Sequence, residues 1–121
     1  MSYPSVELTD TLIGYLELFG KVDGQAIQWP PYEREYLFNR PDTKHRFDLV
    51  FPAQMVAIEM EGGTFTGGRH TRGVGYAQDC WKYNRAAELG WRVLRYTTDM
   101  INNDPEQVIM QIARVLGVLP D

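Results

Sequence analysis

Two neighbouring segments with alternating side chains place the strongest constraint on the fold of this chain. The segments "RFDLVF" at 46–51 and "MVAIEME" at 55–61 are rich in β-forming residues, and only a short Pro-Ala-Gln turn separates them. Alternation of this kind predicts strands, and so short a connection joins two strands as an antiparallel hairpin. The fold therefore contains a sheet with at least one antiparallel pair.

The other segments predict one further strand on either side of this hairpin, together with three helices. In chain order they are helix 5–19, strand 34–39, helix 76–90, strand 91–97 and helix 104–117. The order is αβββαβα. Strands separated by a helix can lie parallel, whereas the hairpin strands are antiparallel, so we expect an α/β fold with a mixed central sheet flanked by helices.

Residues typical of helix ends support these boundaries. Ser5 is a predicted N-cap of the first helix, and Gly20 is its predicted stop. For the last helix, Asp104 is the predicted N-cap, Gln107 completes a capping box, and Gly117 ends the helix.

Length and composition favour a single cytoplasmic domain over residues 1–121. A chain of 121 residues with 44% hydrophobic residues can form one core and one functional site. Its longest apolar stretch is interrupted and far shorter than the roughly 20 residues that a membrane helix needs. No signal-peptide pattern begins the sequence, and the lone Cys80 cannot form an intrachain disulfide.

Charge is distributed unevenly along the chain. The formal net charge is −4, yet residues 69–95 contain six basic residues and two acidic ones, a local excess of +4. This asymmetry is compatible with a basic face for a polyanion beside an acidic pocket for a metal ion. The alternative is a solvated helix face with charged helix ends.

Three acidic residues are the predicted centre of a site. Glu59 and Glu61 lie two positions apart on one strand and therefore share a face, and the hairpin can bring Asp48 alongside. Carboxylates this close repel each other unless a hard cation neutralises them, which predicts Mg²⁺ or Mn²⁺. Two alternatives remain open: the acids face solvent, or they form salt bridges with Arg46 or Arg95.

The residues "RFDLVFPAQMVAIEMEGG" and "GGRHTRGVGYAQDCWKYNRAAELGWRVLRYT" resemble the PD-(D/E)XK, or restriction-endonuclease-like, nuclease superfamily. Within it, the chain is most similar to small single-domain proteins near the very-short-patch-repair endonucleases, including phage-borne members. The resemblance covers roughly residues 34–97. It implies a restriction-endonuclease-like αβββαβ core, with Asp48 as the first acid of the motif and Glu59 as the second.

One position departs from the superfamily pattern. Glu61 stands where the superfamily most often has a lysine, which would position water and stabilise charge on the phosphate. Arg72 or Lys82 could supply the missing positive charge. His70 could act as general acid or base, although a lone loop histidine is often structural.

The glycine-rich stretch after the second acid predicts contact with phosphate. Glycines between 62 and 75 allow close backbone approach, and Arg69 and Arg72 add positive charge. A surface loop without a ligand is the alternative. On the following helix, Lys82 and Arg85 are predicted contacts to the DNA backbone.

The aromatic residues nearby have a different predicted role. Trp81 and Trp91 are expected to pack in the core instead of stacking on bases. No dedicated base-reading element is visible in the sequence.

These observations predict a metal-dependent DNA endonuclease of weak sequence specificity, or one that selects a DNA structure. Its predicted partner is duplex or branched DNA, its catalytic residues are Asp48, Glu59, Glu61 and His70, and a homodimer would allow both strands to be cut. Two alternatives are a catalytically inactive nucleic-acid-binding relative and a protein-protein adaptor on the same fold.

Overall fold

The structure is a computed structural model and describes residues 4–61 and 74–120. Its helices in these ranges are α1 (Pro4–Leu18), α2 (Val74–Glu88), α3 (Thr98–Asn103) and α4 (Pro105–Leu116). Its strands are β1 (Lys21–Val22), β2 (Gln25–Ala26), β3 (Glu33–Leu37), β4 (Arg46–Phe51), β5 (Val56–Glu61) and β6 (Arg92–Thr97). The longer elements follow the predicted order αβββαβα, and the β1–β2 hairpin and the short helix α3 are additions to it.

In the described part of the chain, four strands form a mixed sheet in the order β3-β4-β5-β6. The first three are antiparallel, with Arg34 opposite Leu49 and Leu49 opposite Ile58. Strands β5 and β6 are parallel, with Glu59 beside Arg95. The predicted mixed sheet and the predicted hairpin are therefore confirmed.

The hairpin between β4 and β5 turns through one short helical turn at Pro52–Gln54. Met55 follows in the left-handed conformation, with φ of 53°, and its N–H donates to the carbonyl of Pro52 at 3.1 Å. The carbonyl of Met55 accepts from the N–H of Arg92 at 2.9 Å. The same tight turn thus begins β5 and anchors the start of β6.

Helices α1 and α4 cover one face of the sheet. Apolar side chains from both helices meet the inward residues of β4 and β5 in the larger of two buried clusters, because strand alternation presents one face to the helices. The cluster includes Leu12, Leu16, Leu49, Phe51, Ile58, Met60, Ile109 and Ile112. This packing holds the sheet on the side away from α2.

Helix α2 packs against the second, smaller cluster, which contains Phe47, Val50, Ala57 and Ala86. Phe47 belongs to this cluster although Leu49, two residues away on the same strand, belongs to the larger one. Strict alternation would place both on one face. The alternation is broken at Asp48, where the described β4–β5 ladder has ended.

Only one of the two tryptophans predicted to pack does so. The ring centroid of Trp91 lies 5.7 Å from that of Phe47 and 5.6 Å from that of Tyr36. Trp81 is 71% exposed on α2, so its predicted packing role is wrong. The helix turns its Ala86 side toward the sheet, and the Trp81 side faces outward.

The predicted start of α1 is shifted, and its predicted stop has a steric cause. Ser5 lies inside the helix and its carbonyl accepts from the Thr9 hydroxyl at 2.6 Å. A Cβ added at Gly20 would lie 2.0 Å from the carbonyl oxygen of Leu16 and 2.9 Å from Nε1 of Trp29. Trp29 Nε1 donates to that carbonyl at 2.8 Å, so the missing side chain makes room for an indole that satisfies the helix end.

The predicted capping box of the last helix is wrong. Asp104 is the N-cap residue of α4, as predicted, but its side chain makes no capping hydrogen bond. Its backbone also ends α3, where its N–H donates to the carbonyl of Met100. Thr97 instead caps α3, accepting from the N–H of Met100 at 3.1 Å. Gly117 does end α4 in the left-handed conformation, as predicted.

None of the helices in the described ranges is both long and apolar enough to cross a membrane.

Candidate active site

Asp48 and Glu59, predicted from neighbouring strands, lie side by side. The Asp48 carboxylate accepts the backbone N–H of Met60 at 2.8 Å, and the Asp48 N–H points at the Glu59 carboxylate at 3.4 Å. The last backbone pair between β4 and β5 is Leu49 with Ile58, and beyond it these bonds between side chain and backbone connect the two strands. The backbone of each strand thus holds the acid of the other, and the two carboxyl groups are positioned by strand geometry and not by flexible side chains.

Glu59 is a buried acid, with 5% of its surface exposed. Burial raises its pKa from an ordinary value of 4.5 to about 8, a hydrogen bond with Asp48 acts in the same direction, and the charge of Lys82 opposes the rise. A carboxyl group that holds its proton near neutral pH beside a second carboxyl group is a favourable place for a cation to replace that proton.

Lys82 directs its ammonium group at this buried acid. It forms an ion pair with Glu59, and its side chain is only 18% exposed. The same ammonium lies 5.4 Å from the ring centroids of Phe47 and Tyr83. Lys82 is predicted from the sequence both as a DNA backbone contact and as a source of the positive charge that the missing motif lysine would supply, and its position beside Glu59 is compatible with the second role.

Glu61 pairs with Arg95 of β6 instead of joining Asp48 and Glu59 in a three-acid cluster. Its carboxylate accepts from Nε of Arg95 at 2.5 Å, which is the salt bridge left open as an alternative. In residues 4–61 and 74–120, no group of three or more His, Cys, Asp or Glu side chains is arranged to hold a metal ion. The structure therefore does not gather Glu61 with Asp48 and Glu59 into one metal-holding group, because the parallel neighbour strand β6 supplies a guanidinium within reach. The predicted catalytic and metal-binding roles of Glu61 stay predictions.

Tyr83, for which the sequence predicts no role in the site, lies between the two ion pairs and contacts the cation of each. Arg95 stacks its guanidinium 4.3 Å from the Tyr83 ring centroid. Burial, together with the charges of Glu59 and Glu61, raises the pKa of the Tyr83 hydroxyl above its ordinary range. Tyr83 lies four residues after Asp79 on α2, so the two share one helix face, and this spacing is the signal in the sequence that could have found it.

Arg85 lies apart from the acids. Its Nε donates to the buried Asn39 side chain at 3.0 Å, and its guanidinium also lies 4.0 Å from Asp42 and 3.8 Å from Glu88. The contacts with Asn39 and Asp42 attach α2 to the segment between β3 and β4, whereas the Glu88 contact lies within the helix. Arg85 stabilises the position of the helix, and its predicted contact with DNA stays a prediction.

A cavity of 420 Å³ opens beside Glu61, between α2 and the end of the sheet. Its lining combines aromatic, amide and charged side chains, namely Tyr76, Asp79, Tyr83 and Asn84 of α2 with Glu61 and Arg95. The helical spacing of the α2 members puts them on one face of the helix. The cavity thus extends the site from the carboxyl pair toward the first turns of α2.

The remaining predicted site residues, Arg69, His70 and Arg72, lie outside the described residues, as does the glycine-rich stretch up to Gly73. Their predicted roles stay predictions.

Comparison with protein-family models, with curated proteins and with solved structures finds no match for this chain. The geometry of the site is therefore the basis for a functional proposal.

Proposed function

We propose that this chain is a metal-dependent DNA endonuclease with a restriction-endonuclease-like core. The observation that carries the proposal is the pairing of Asp48 with the buried Glu59, whose pKa is about 8 and whose carboxylate contacts Lys82. Two acids on adjacent strands, with an ammonium group from α2 beside them, form a donor set that metal-assisted phosphodiester hydrolysis can use.

The carboxyl pair fits a hard divalent cation such as Mg²⁺ or Mn²⁺. Mg²⁺ is commonly held by one or two carboxylates, with water and substrate phosphate completing its shell, so a third protein acid is not needed. Asp48 uses one oxygen for the Met60 amide, and Glu59 uses one oxygen for Lys82 and the other for the Asp48 N–H. Each carboxylate oxygen has a second lone pair, so both acids can still take part in holding a cation. When bound, the cation would supply charge stabilisation and a more acidic water.

Asp48, Glu59 and Lys82 would have separate roles in this reaction. Asp48 and Glu59 would hold the cation in a fixed position, because the backbone amides around them limit their movement. One donor of the Lys82 ammonium goes to Glu59, and its other donors can orient the attacking water or contact a phosphate oxygen. Water would form the new P–O bond as the bond to the leaving oxygen breaks.

Phosphate contacts beyond this centre would need further positive charge. Lys82, Arg85 and Arg95 each pair with a carboxylate, so the positive excess of residues 69–95 is largely balanced locally at these three positions. Arg69 and Arg72 are the proposed backbone contacts, and a homodimer on duplex or branched DNA would be needed to cut two strands.

Incubation of the purified protein with labelled duplex, single-stranded, mismatched and four-way-junction DNA, with Mg²⁺, Mn²⁺ or EDTA, tests the proposal. Cleavage should require the metal, and Asp48→Asn and Glu59→Gln should abolish it. Glu33→Gln, an exposed acid on β3, is the matched control and should retain cleavage. Intact DNA under every condition, with folded wild-type protein, would reject the endonuclease.

A second candidate function is DNA binding without cleavage. Glu61 in place of the motif lysine favours it, because a glutamate paired with Arg95 supplies no positive charge to the centre. Salt-dependent DNA binding without metal-dependent cleavage in the same experiment would identify this function.

A further inference from the structure

The cavity beside Glu61 lies within one nucleotide of the proposed cleavage centre. Glu59 and Glu61 are two residues apart on β5, a distance of about 7 Å along a strand. The volume of the cavity, 420 Å³, falls within the roughly 300–1,000 Å³ of small-ligand pockets. A group attached to the sugar next to a phosphate at Glu59 would therefore reach into the cavity.

The charges of the cavity favour a neutral guest. Glu61 and Asp79 contribute two negative charges and Arg95 one positive charge, so the lining carries a formal charge of −1 at neutral pH. Arg95 is also already paired with Glu61. A phosphate would be repelled, whereas an uncharged heterocycle with amino groups would find carboxylate acceptors.

The other lining residues suit a planar heterocycle. Tyr76 is 53% exposed and offers a ring face, while the ring of Tyr83 already has Arg95 against it at 4.3 Å. Asn84 is exposed on the same helix, and its amide provides two donors and one acceptor. Proteins usually bind a single base by stacking it on an aromatic side chain and forming hydrogen bonds to its polar edge.

We infer that this cavity binds one unstacked nucleobase of the DNA strand at the cleavage site, stacked on Tyr76 and hydrogen-bonded by Asn84. The two acids favour a base that carries an exocyclic amino group. This inference rests on the proposed function and adds to it the class of substrate. A base within an intact duplex cannot enter, so DNA with an unpaired base is the preferred substrate.

Cys80 provides a test that does not depend on cleavage, because it is the single cysteine of the chain and an exposed residue of this cavity. Its rate of alkylation by iodoacetamide is measured in EDTA, with a fully paired duplex and with the same duplex containing one unpaired adenine. We expect the unpaired adenine to slow alkylation about fivefold or more relative to the paired duplex.

Two matched variants show whether the cavity residues cause this effect. Asn84→Ala should weaken binding of the adenine-bulged duplex about fivefold, by fluorescence anisotropy, and leave the affinity for paired duplex unchanged. Gln78→Ala removes an exposed amide from α2 outside the cavity and should leave both affinities unchanged. Circular dichroism establishes that both variants are folded.

The outcomes separate this inference from the proposed function. Metal-dependent cleavage with equal alkylation rates on the two duplexes would overturn the base-binding cavity and leave the endonuclease standing. Protection of Cys80 by the unpaired adenine, lost in Asn84→Ala, would support the cavity even if no DNA is cut.

Discussion

Lys82 of α2 places its ammonium against the carboxylate of Glu59 on β5, in the interface between helix and sheet. Both side chains are largely withdrawn from water, so each relies on the other for the solvation it has lost. The contact connects the stability of the fold to the electrostatics of the proposed active site.

Breaking this pair from the lysine side should destabilise the protein. At pH 9, where Glu59 of the wild type is mostly ionised because its pKa is about 8, Lys82→Met leaves this buried charge without its cation, and we expect a loss of about 3 kcal/mol in the free energy of unfolding, measured by urea denaturation. The double variant Lys82→Met/Glu59→Gln should recover part of this loss, because no charged group is left unpaired. Strictly additive losses in the double-mutant cycle would show that the two side chains are not coupled.

Stability should depend on pH through Glu59. Its pKa is raised in the folded state from 4.5 to about 8, so the folded state holds the proton more tightly than the unfolded chain. The stabilisation that this proton provides is fully present below pH 4.5 and is lost as the pH rises toward 8. Over that interval the free energy of unfolding should fall by at most about 1.4 kcal/mol per pH unit.

Glu59→Gln has no carboxyl group to titrate at this position. Its stability relative to wild type should therefore increase as the pH rises from 4.5 to 8, because only the wild type loses stability over that interval. Urea denaturation of both proteins at several pH values gives the comparison. Parallel stability curves for the two proteins would mean that Glu59 titrates alike in the folded and unfolded states.

In the proposed endonuclease, metal binding should release a proton from Glu59. The pKa of about 8 leaves Glu59 mostly protonated at neutral pH, and a cation can bind only its ionised form. Calorimetric titration with Mn²⁺ in two buffers of different ionisation enthalpy should show about one proton released per metal. Glu59→Gln should abolish the release, and buffer-independent heats for wild type would contradict the mechanism.

Glu61 should be dispensable for cleavage to a degree that Glu59 is not. Its carboxylate serves Arg95, so Glu61→Gln should lower the rate about tenfold or less, whereas Glu59→Gln should lower it a hundredfold or more. The stability cost of Glu61→Gln should be within about 1 kcal/mol, because Arg95 is half exposed. Equal loss of cleavage in both variants would restore Glu61 as a third metal ligand.

Two glycines of the N-terminal region should respond to alanine in opposite directions. Gly20→Ala should destabilise the protein by about 2 kcal/mol, because its Cβ would meet Leu16 and Trp29 at 2.0 and 2.9 Å. Gly14→Ala, inside α1 with no atom within 4 Å of the new Cβ apart from the adjoining helix backbone, should stabilise by about 0.5–1 kcal/mol. Thermal unfolding of the two variants side by side checks both signs.

Local pattern was sufficient for much of the fold. Alternation in 46–51 and 55–61 with a three-residue turn predicted the hairpin, and the hairpin brought Asp48 to Glu59. The small β1–β2 hairpin and α3 were missed because each is short, with two residues per strand and six in the helix, and short segments carry little periodicity.

The sequence by itself determined the order of elements, the mixed sheet and the pairing of two acids, because side-chain period and turn length act between near neighbours in the chain. Tertiary structure decided that Glu61 pairs with Arg95, that Lys82 contacts Glu59 and that Trp81 faces outward. These outcomes depend on which face of α2 meets the sheet and on the register of β6 beside β5. Both are set by packing between segments that are distant in the sequence.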